Sequence, residues 1–460
     1  MNDAVRIRRI TLLVTTSSSF LTPFMGSALN VALPTIGKEF GATALMLGWV
    51  STAYLLSSAM FLVPFGKLAD MMGKKRVFVW GLALFSLGAL LSGLSPSLPW
   101  LIAFRAFHGI GGAMIFGTGV AILTAAFPPQ ERGRVLGINV ASVYIGLSVG
   151  PFLGGLLTQY LGWRSIFYVA VPLSGLIALL ARWKLREEKW GWDVRSFDYM
   201  GSLVYGLSLA VLLYGFSRLP EPLGVGLTLA GIGGIGGFFL LEQRNPNPVL
   251  ELNLFAHNPA FTFSGLAALI HYSATAAVGF LLSLYLQSVR GISPQAAGLI
   301  LLTQPVIQAL FSPLAGWASD RIEPRVVASA GMGLTTLGLL LLLRLEEATA
   351  ISYVGIALGL LGFGFALFTS PNSNAIMSSV DRSHYGVASA ILGTMRLIGQ
   401  TMSMGIVMLI FALWMGGQAI LPETAPLFLQ SMRVAFAVFA TLCFLGIFAS
   451  LARGRIHTER

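Results

Sequence analysis

Four side chains able to carry charge or move a proton stand inside long apolar stretches of this 460-residue chain: Arg105, His108, His271 and Arg396. The ordinary pKa of histidine lies near neutrality, which makes His108 and His271 candidate proton carriers. A charge at membrane depth costs about 2.5 to 3.5 kcal/mol on insertion scales, so Arg105 is expected to face a bundle interior or a wet cavity, or to bond backbone carbonyls of a neighbouring helix. Arg396, about three turns into its span, could either line the cavity or snorkel toward the cytoplasm along its aliphatic stem. His108 follows Arg105 by three residues and shares its helical face. None of the 18 carboxylates falls near the middle of an apolar stretch. A carboxylate in a low-dielectric cavity, with its pKa raised toward neutrality, would be the natural proton carrier and attractor of cations. Two buried arginines without one make a positive cavity that favours neutral or anionic amphiphiles. Zinc-type spacing, a phosphate loop and an intramembrane carboxylate pair are all missing from the sequence, which argues against an enzyme. Nothing suggests a bound cofactor or a metal.

The elements that position these groups follow from composition. Hydrophobic residues make up 55% of the chain and charged residues 10%, with mean hydropathy +0.79, far from the make-up of soluble domains. A helix needs roughly 20 apolar residues to cross the hydrocarbon core, and lipid offers the backbone no hydrogen-bond partners, so such stretches must be helices. Fourteen spans are expected near 10–33, 45–66, 77–95, 99–126, 134–160, 165–182, 199–217, 223–241, 260–287, 295–318, 326–344, 350–377, 386–414 and 428–452. The fold class is therefore an all-α membrane protein. Residues 1–182 form a first six-helix bundle, 183–248 a linker with two inserted spans, and 249–460 a second six-helix bundle. Polar groups that could line a cavity are Asn30, Tyr54, Asn139, Tyr144, Tyr272, Gln304, Gln308, Asn372, Asn374 and Gln400, although for any one of them a helix-packing hydrogen bond is the more ordinary role.

Lys and Arg concentrate in cytoplasmic loops. With the N-terminus inside, only Lys38, Arg164, Arg218, Arg290, Arg344 and Arg433 fall outside, and nearly all the rest of the 29 basic residues fall inside. Both termini are thus expected in the cytoplasm of a multi-pass plasma-membrane protein. The net charge of +11 is scattered over short loops, which argues for contact with membrane lipids and against a nucleic-acid partner. The first span is too long for a signal-peptide core. Cys443 is the only cysteine, so no intramolecular disulfide is expected.

The halves repeat. Gly66-Lys-Leu-Ala-Asp70-Met-Met-Gly73-Lys74-Lys75-Arg76 ends span two, and Gly316-Trp-Ala-Ser-Asp320-Arg321-Ile-Glu-Pro-Arg325 ends span ten. Span five carries Gly146-Leu-Ser-Val-Gly150-Pro151-Phe-Leu-Gly154-Gly155. Gly133 and Gly146 correspond to Gly386 and Gly399 in span thirteen, where Ser403-Met404 replaces Gly150-Pro151. Gly146, Gly150, Gly154 and Gly155 are expected on one helical face, where they permit close approach, and Pro151 removes a backbone donor and can kink the span.

Together these segments resemble the major facilitator superfamily, specifically its fourteen-helix drug:proton antiporter family. The resemblance extends to Arg105-Ala-Phe-His108-Gly109-Ile-Gly111-Gly112, Trp163-Arg164-Ser-Ile-Phe167 leading to Pro172, Asp198-Tyr-Met-Gly201, Tyr285 through Gly298 and Gly386 through Arg396. It implies two bundles around a central cavity, alternating access and export of lipophilic or amphipathic molecules, proton-coupled and by a monomer. A lipid or lysolipid translocator, or an uncoupled facilitator, on the same fold is the alternative. The resemblance also implies gating by the glycine-proline face of span five, and a latch on the inner side at Asp70 and Gly73, with Asp320 as the weaker second copy. Two positions depart from the pattern. Met71 stands where a basic residue is usual, and Met25 stands five residues before Asn30 where an acid is usual. Without that acid, His108, His271 and Asp70 are the candidates for proton coupling.

Overall fold

The computed structural model describes residues 3–185, 197–245, 258–380 and 385–454. Fourteen helical elements run back and forth through it. They are α1 (Asp3–Phe40), α2 (Ala44–Met72), α3 (Lys74–Gly93), α4 (Leu98–Ala126), α5 (Pro129–Leu161), α6 (Arg164–Lys184), α7 (Tyr199–Ser217) and α8 (Pro222–Arg244). The second half follows with α9, in two pieces (Pro259–Thr275 and Val278–Leu284) and closing in a π turn at Tyr285–Val289. Then come α10 (Pro294–Leu301 and Thr303–Arg321), α11 (Pro324–Leu342), α12 (Ile351–Ser378), α13 (Tyr385–Trp414) and α14 (Ala425–Ala452).

Local sequence sets many of these boundaries. Thr43, Asp198 and Asn258 cap their helices by accepting from Met46 N, Gly201 N and Phe261 N, which satisfies donors that a helix start leaves free. Gly73 joins α2 to α3 at φ 98°, a conformation that favours glycine.

Among the described residues, thirteen helices are long and apolar enough to cross a membrane. The element outside that set is α1, which carries Thr15-Thr16-Ser17-Ser18-Ser19. Its hydroxyls turn back onto the helix, with Thr15 donating to Thr11 O at 2.9 Å, Thr16 to Leu12 O at 2.6 Å and Ser18 to Thr15 O at 2.9 Å. A polar run can thus lie among apolar neighbours with its hydrogen bonds made.

The two six-helix bundles are α1–α6 and α9–α14, and α7 and α8 form a hairpin closed by glycines. A Cβ on Gly231 would lie 2.6 Å from Leu212 Cα, and one on Gly215 would lie 2.6 Å from Thr228 N. The hairpin stands where α2 of one bundle meets α13 of the other. Tyr205 Oη donates to Ala59 O at 3.1 Å, and a Cβ on Gly405 would lie 2.6 Å from Leu213 Cδ2. Leu56, Tyr205, Leu213, Phe238 and Leu397 share one buried cluster drawn from both bundles and the hairpin.

The bundles are joined at the face that carries the α1–α2 turn, here called the far face. Gln287 Nε2 donates to Val31 O at 2.7 Å, Tyr160 Oη to Gln295 Oε1 at 3.2 Å, Gln295 N to Gln159 Oε1 at 3.2 Å and Ala44 N to Gln418 O at 3.2 Å. A clamp at the far end of α1 adds to the closure within the first bundle. Glu39 accepts from Trp163 Nε1 at 2.7 Å and pairs with Arg164 Nη2 at 2.7 Å. The Arg164 hydrogen bonds hold the Glu39 carboxyl below its ordinary range, because they stabilise the charged form.

Candidate functional site

Helix α5 presents two working faces. Gly146, Gly150 and Gly154 recur every fourth residue and meet α1 of the same bundle. A Cβ on Gly146 would overlap Phe20 O, one on Gly150 would overlap Ser27 Oγ, and one on Gly154 would lie 2.6 Å from Ala28 Cα. The expectation that Gly155 shares this face is corrected. One residue turns a helix by about 100°, and Gly155 meets α10 of the other bundle, where its Cβ would overlap Pro294 O. Pro151 lies on that same side, its carbonyl occupying the place of a Cβ on Gly298. The motif therefore joins α5 to α1 through three glycines and to α10 through Pro151 and Gly155.

Two turns toward the N-terminal face, Tyr144 continues the α10-facing side of α5. It lies against Gln308 of α10 and Thr369 of α12, with Tyr272 of α9 and Arg396 of α13 close enough to interact electrostatically. The Arg396 guanidinium sits 5.5 Å from the Tyr272 ring centroid. Tyr144, Tyr272 and Arg396 are half-buried, Gln308 is buried, and the Thr369 hydroxyl is buried beside Tyr144. This cluster is drawn from both bundles and lies between them. Asn30, Gln304 and Gln400 are also half-buried. Asn30 Oδ1 accepts from Ser51 Oγ at 3.4 Å, and the Gln304 carbonyl packs against Gly362.

Arg105 does not join this cluster, and the expected cavity with two arginines becomes one with Arg396 alone. Arg105 is 1% exposed, enclosed within the first bundle. Its Nε donates to Val50 O at 3.3 Å, its Nη1 lies 2.8 Å from His108 Nδ1, and its guanidinium covers the Tyr54 ring at 4.4 Å. Arginine has donors only, so His108 Nδ1 must accept and the ring proton resides on Nε2. A second proton on His108 would set two cations face to face. The Arg105–His108 pair is therefore an internal contact of the first bundle beneath the Tyr54 ring, and its His108 Nε2 is buried without a hydrogen-bond partner.

His271 differs. It is fully buried, its ring centroid lies 4.1 Å from that of Phe368 and 4.6 Å from that of Phe365, and neither nitrogen has a partner. Asn372 is buried near it in the second bundle, donating to Ser264 O at 3.2 Å. Asn139 is buried, and Asn374 donates to Ser319 Oγ at 3.2 Å. Asp70 is exposed at the N-terminal face and its ion pair is with Lys74 one turn on, at 3.5 Å. Gly73 has open space around its Cβ position, so its positive φ and not a close approach explains the residue. The side chain of Asp320 lies outside what the structure describes, and Gly386 falls in the first turn of α13.

Two further contacts that matter here were not expected from the sequence. Met408 of α13 packs onto Gly48 of α2, whose Cβ would lie 3.1 Å from Met408 Cγ. Ser403 Oγ accepts from Ala277 N at 3.0 Å, at the break in α9. The repeat held a usable signal, since the alignment pairing Gly146 with Gly399 also pairs Gly155 with Met408. Arg453, just past the end of α14, is 1% exposed, with Nη2 2.6 Å from Ser450 Oγ.

Two antiparallel helix bundles, closed on each other at one face and enclosing a polar cluster, are the architecture of a multi-pass membrane transporter. The chain belongs to the Major Facilitator Superfamily, whose profile matches residues 15–198 and 264–459; α7 and α8 fall in the gap between the two matched stretches. It is 34% identical over 418 residues to the multidrug resistance protein Stp of Mycobacterium tuberculosis, covering 89% of this chain and 77% of that one. It is 28% identical over 441 residues to the riboflavin transporter RibZ of Clostridioides difficile, covering 95% and 96%. Among solved structures, a bacterial homologue of the human lysosomal transporter Spinster, inward-facing and unoccupied, superposes with TM-score 0.72 at 16% identity over 97% of both chains. That likeness is one of fold.

Proposed function

We propose that this chain is a secondary active exporter of lipophilic or amphipathic small molecules, working by alternating access in the plasma membrane in exchange for protons. The observation that carries this reading is closure at the far face: hydrogen bonds join the bundles there and a polar cluster lies between the bundles behind them. The distribution of Lys and Arg supports a cytoplasmic N-terminal face, which makes this an inward-facing state. Pro151 and Gly155 against α10 then form the outer gate, with Gly146, Gly150 and Gly154 keeping α1 attached to α5. Asp70, exposed and paired one turn along with Lys74, would latch the cytoplasmic side once the bundles rock the other way. Export of drug-like molecules is supported by the relative named for multidrug resistance.

His271 is the favoured proton carrier, because both its ring nitrogens lack partners while His108 Nδ1 is occupied by Arg105. The test reconstitutes the protein in liposomes under a pH gradient and follows lumenal pH while cationic, neutral and anionic amphiphiles are added. Substrate-dependent proton flux is expected, retained in His108→Gln and lost in His271→Gln. Coupling that survives intact in the double variant ends the histidine assignment. Substrate movement without proton flux would mark a facilitator or lipid translocator instead.

A further inference from the structure

Arg396 is a cation whose hydrogen-bond donors are unused. Among the described residues it takes part in no salt bridge and no hydrogen bond, and its defined neighbours are the rings of Tyr272, at 5.5 Å, and Tyr144. Arg105 shows what an arginine at membrane depth does when it serves structure alone: it is sealed from solvent and gives its donors to a carbonyl and an imidazole. Arg396 keeps part of its surface open and points its charge into the space between the bundles. A guanidinium carries five donors in a plane, and in a poorly solvated site it favours an anion that accepts two of them at once. Around it stand two aromatic rings that can flank an aromatic body and the buried Thr369 hydroxyl.

We propose that Arg396, with Tyr144, Tyr272, Gln308 and Thr369, forms the subsite that holds the anionic group of an aromatic or amphipathic substrate. The transporter accordingly prefers organic carboxylates, sulfonates or phosphates to matched neutral or cationic molecules. Tyr272 lies under the guanidinium and orients it, and Tyr144 reaches the subsite from the opposite bundle, so the contact between anion and α5 changes when the bundles rock. This inference rests on the exporter reading above and adds the charge of the substrate to it.

The experiment compares two probes that differ by one group, anilinonaphthalene sulfonate and the uncharged N-phenylnaphthylamine, in liposomes holding the full chain, with empty liposomes as control. The ratio of their protein-dependent transport rates does not depend on how much of each preparation is folded. Wild type should favour the sulfonate. Arg396→Gln should lower the ratio about tenfold or more, the loss of one charge-assisted contact, and Arg396→Lys should restore part of it. A nitrobenzoxadiazole-labelled phosphatidylglycerol, added as a third arm, separates sources: Arg396-dependent lipid movement would place the same subsite on a headgroup. A ratio unchanged in Arg396→Gln, or a wild type that moves only the neutral amine, overturns the inference and leaves the exporter standing. A wild type that moves none of the probes defeats both.

Discussion

The two seams between the bundles occupy equivalent places in the repeat and are built from different materials. Where α5 meets α10, both sides are glycine: a Cβ on Gly155 would overlap Pro294 O, and one on Gly298 would overlap Pro151 O. Backbone lies on backbone, and no side chain can adjust. Where α2 meets α13, Gly48 stands where the first seam has Gly298, but Met408 stands where it has Gly155. The methionine fills the notch, and Thr52 Oγ1 donates to its sulfur at 3.2 Å. Methionine has three rotatable bonds and repacks readily, and α7 supports this seam through Tyr205 and Leu213. A backbone seam separates or closes as a unit, whereas a methionine in a notch tolerates sliding. In the exporter reading, the first is suited to be the gate and the second the pivot.

The largest effect should come from breaking the rigid seam. Gly298→Leu cannot be accommodated by a side-chain shift, since the conflicting atoms are the Pro151 carbonyl group. Transport should fall to background, and a cysteine introduced as Ser148→Cys in a Cys443→Ser background should become reactive from outside. Normal transport with a protected cysteine would show that this seam does not gate. Truncating the pivot should cost less function and more stability. Met408 is fully buried, and Met408→Ala should lower unfolding free energy by about 2 kcal/mol, the low end for large-to-small core changes, because the notch can partly collapse. Thermal unfolding in detergent measures it, and a change below about 0.5 kcal/mol would mean that the hairpin and not the methionine carries the contact.

Much of this was legible from residue types and their spacing, and what was not depended on partners in other helices. The apolar runs located the spans, and the three-residue interval from Arg105 to His108 announced their contact. Span nine reads as continuous from 260 to 287, with no proline at the point where α9 breaks after Thr275. The break is held from outside, by the Ser403 hydroxyl of α13 accepting from Ala277 N, so local propensity could not reveal it. The interruption of α10 is different: Pro305 lies just past it and lacks the donor that would tie it to the preceding turn. Arg396 and Tyr144 were recognisable as polar groups in apolar runs. Which arginine faces the cavity was not, because Arg105 and Arg396 are alike in sequence and differ only in what α2 and α9 place beside them.

The smallest effect separates the two kinds of seam most directly. Gly48→Ala introduces the same single carbon as Gly298→Ala, at the equivalent place. Its neighbour is Met408 Cγ at 3.1 Å, a side-chain atom that can rotate away, whereas at Gly298 the neighbours are backbone atoms of Pro151. Overpacking of a rigid site costs about 1 to 3 kcal/mol; at Gly48 the expected loss is below about 1 kcal/mol, with transport close to wild type. Pairing Gly48→Ala with Met408→Ala should then be less harmful than the sum of the two, since the alanine methyl enters the space the methionine vacates. A double-variant cycle read by thermal unfolding gives that coupling. Equal damage from Gly48→Ala and Gly298→Ala would remove the distinction between a rigid gate and an adaptable pivot, and additive damage in the cycle would show that Met408 does not fill the Gly48 notch.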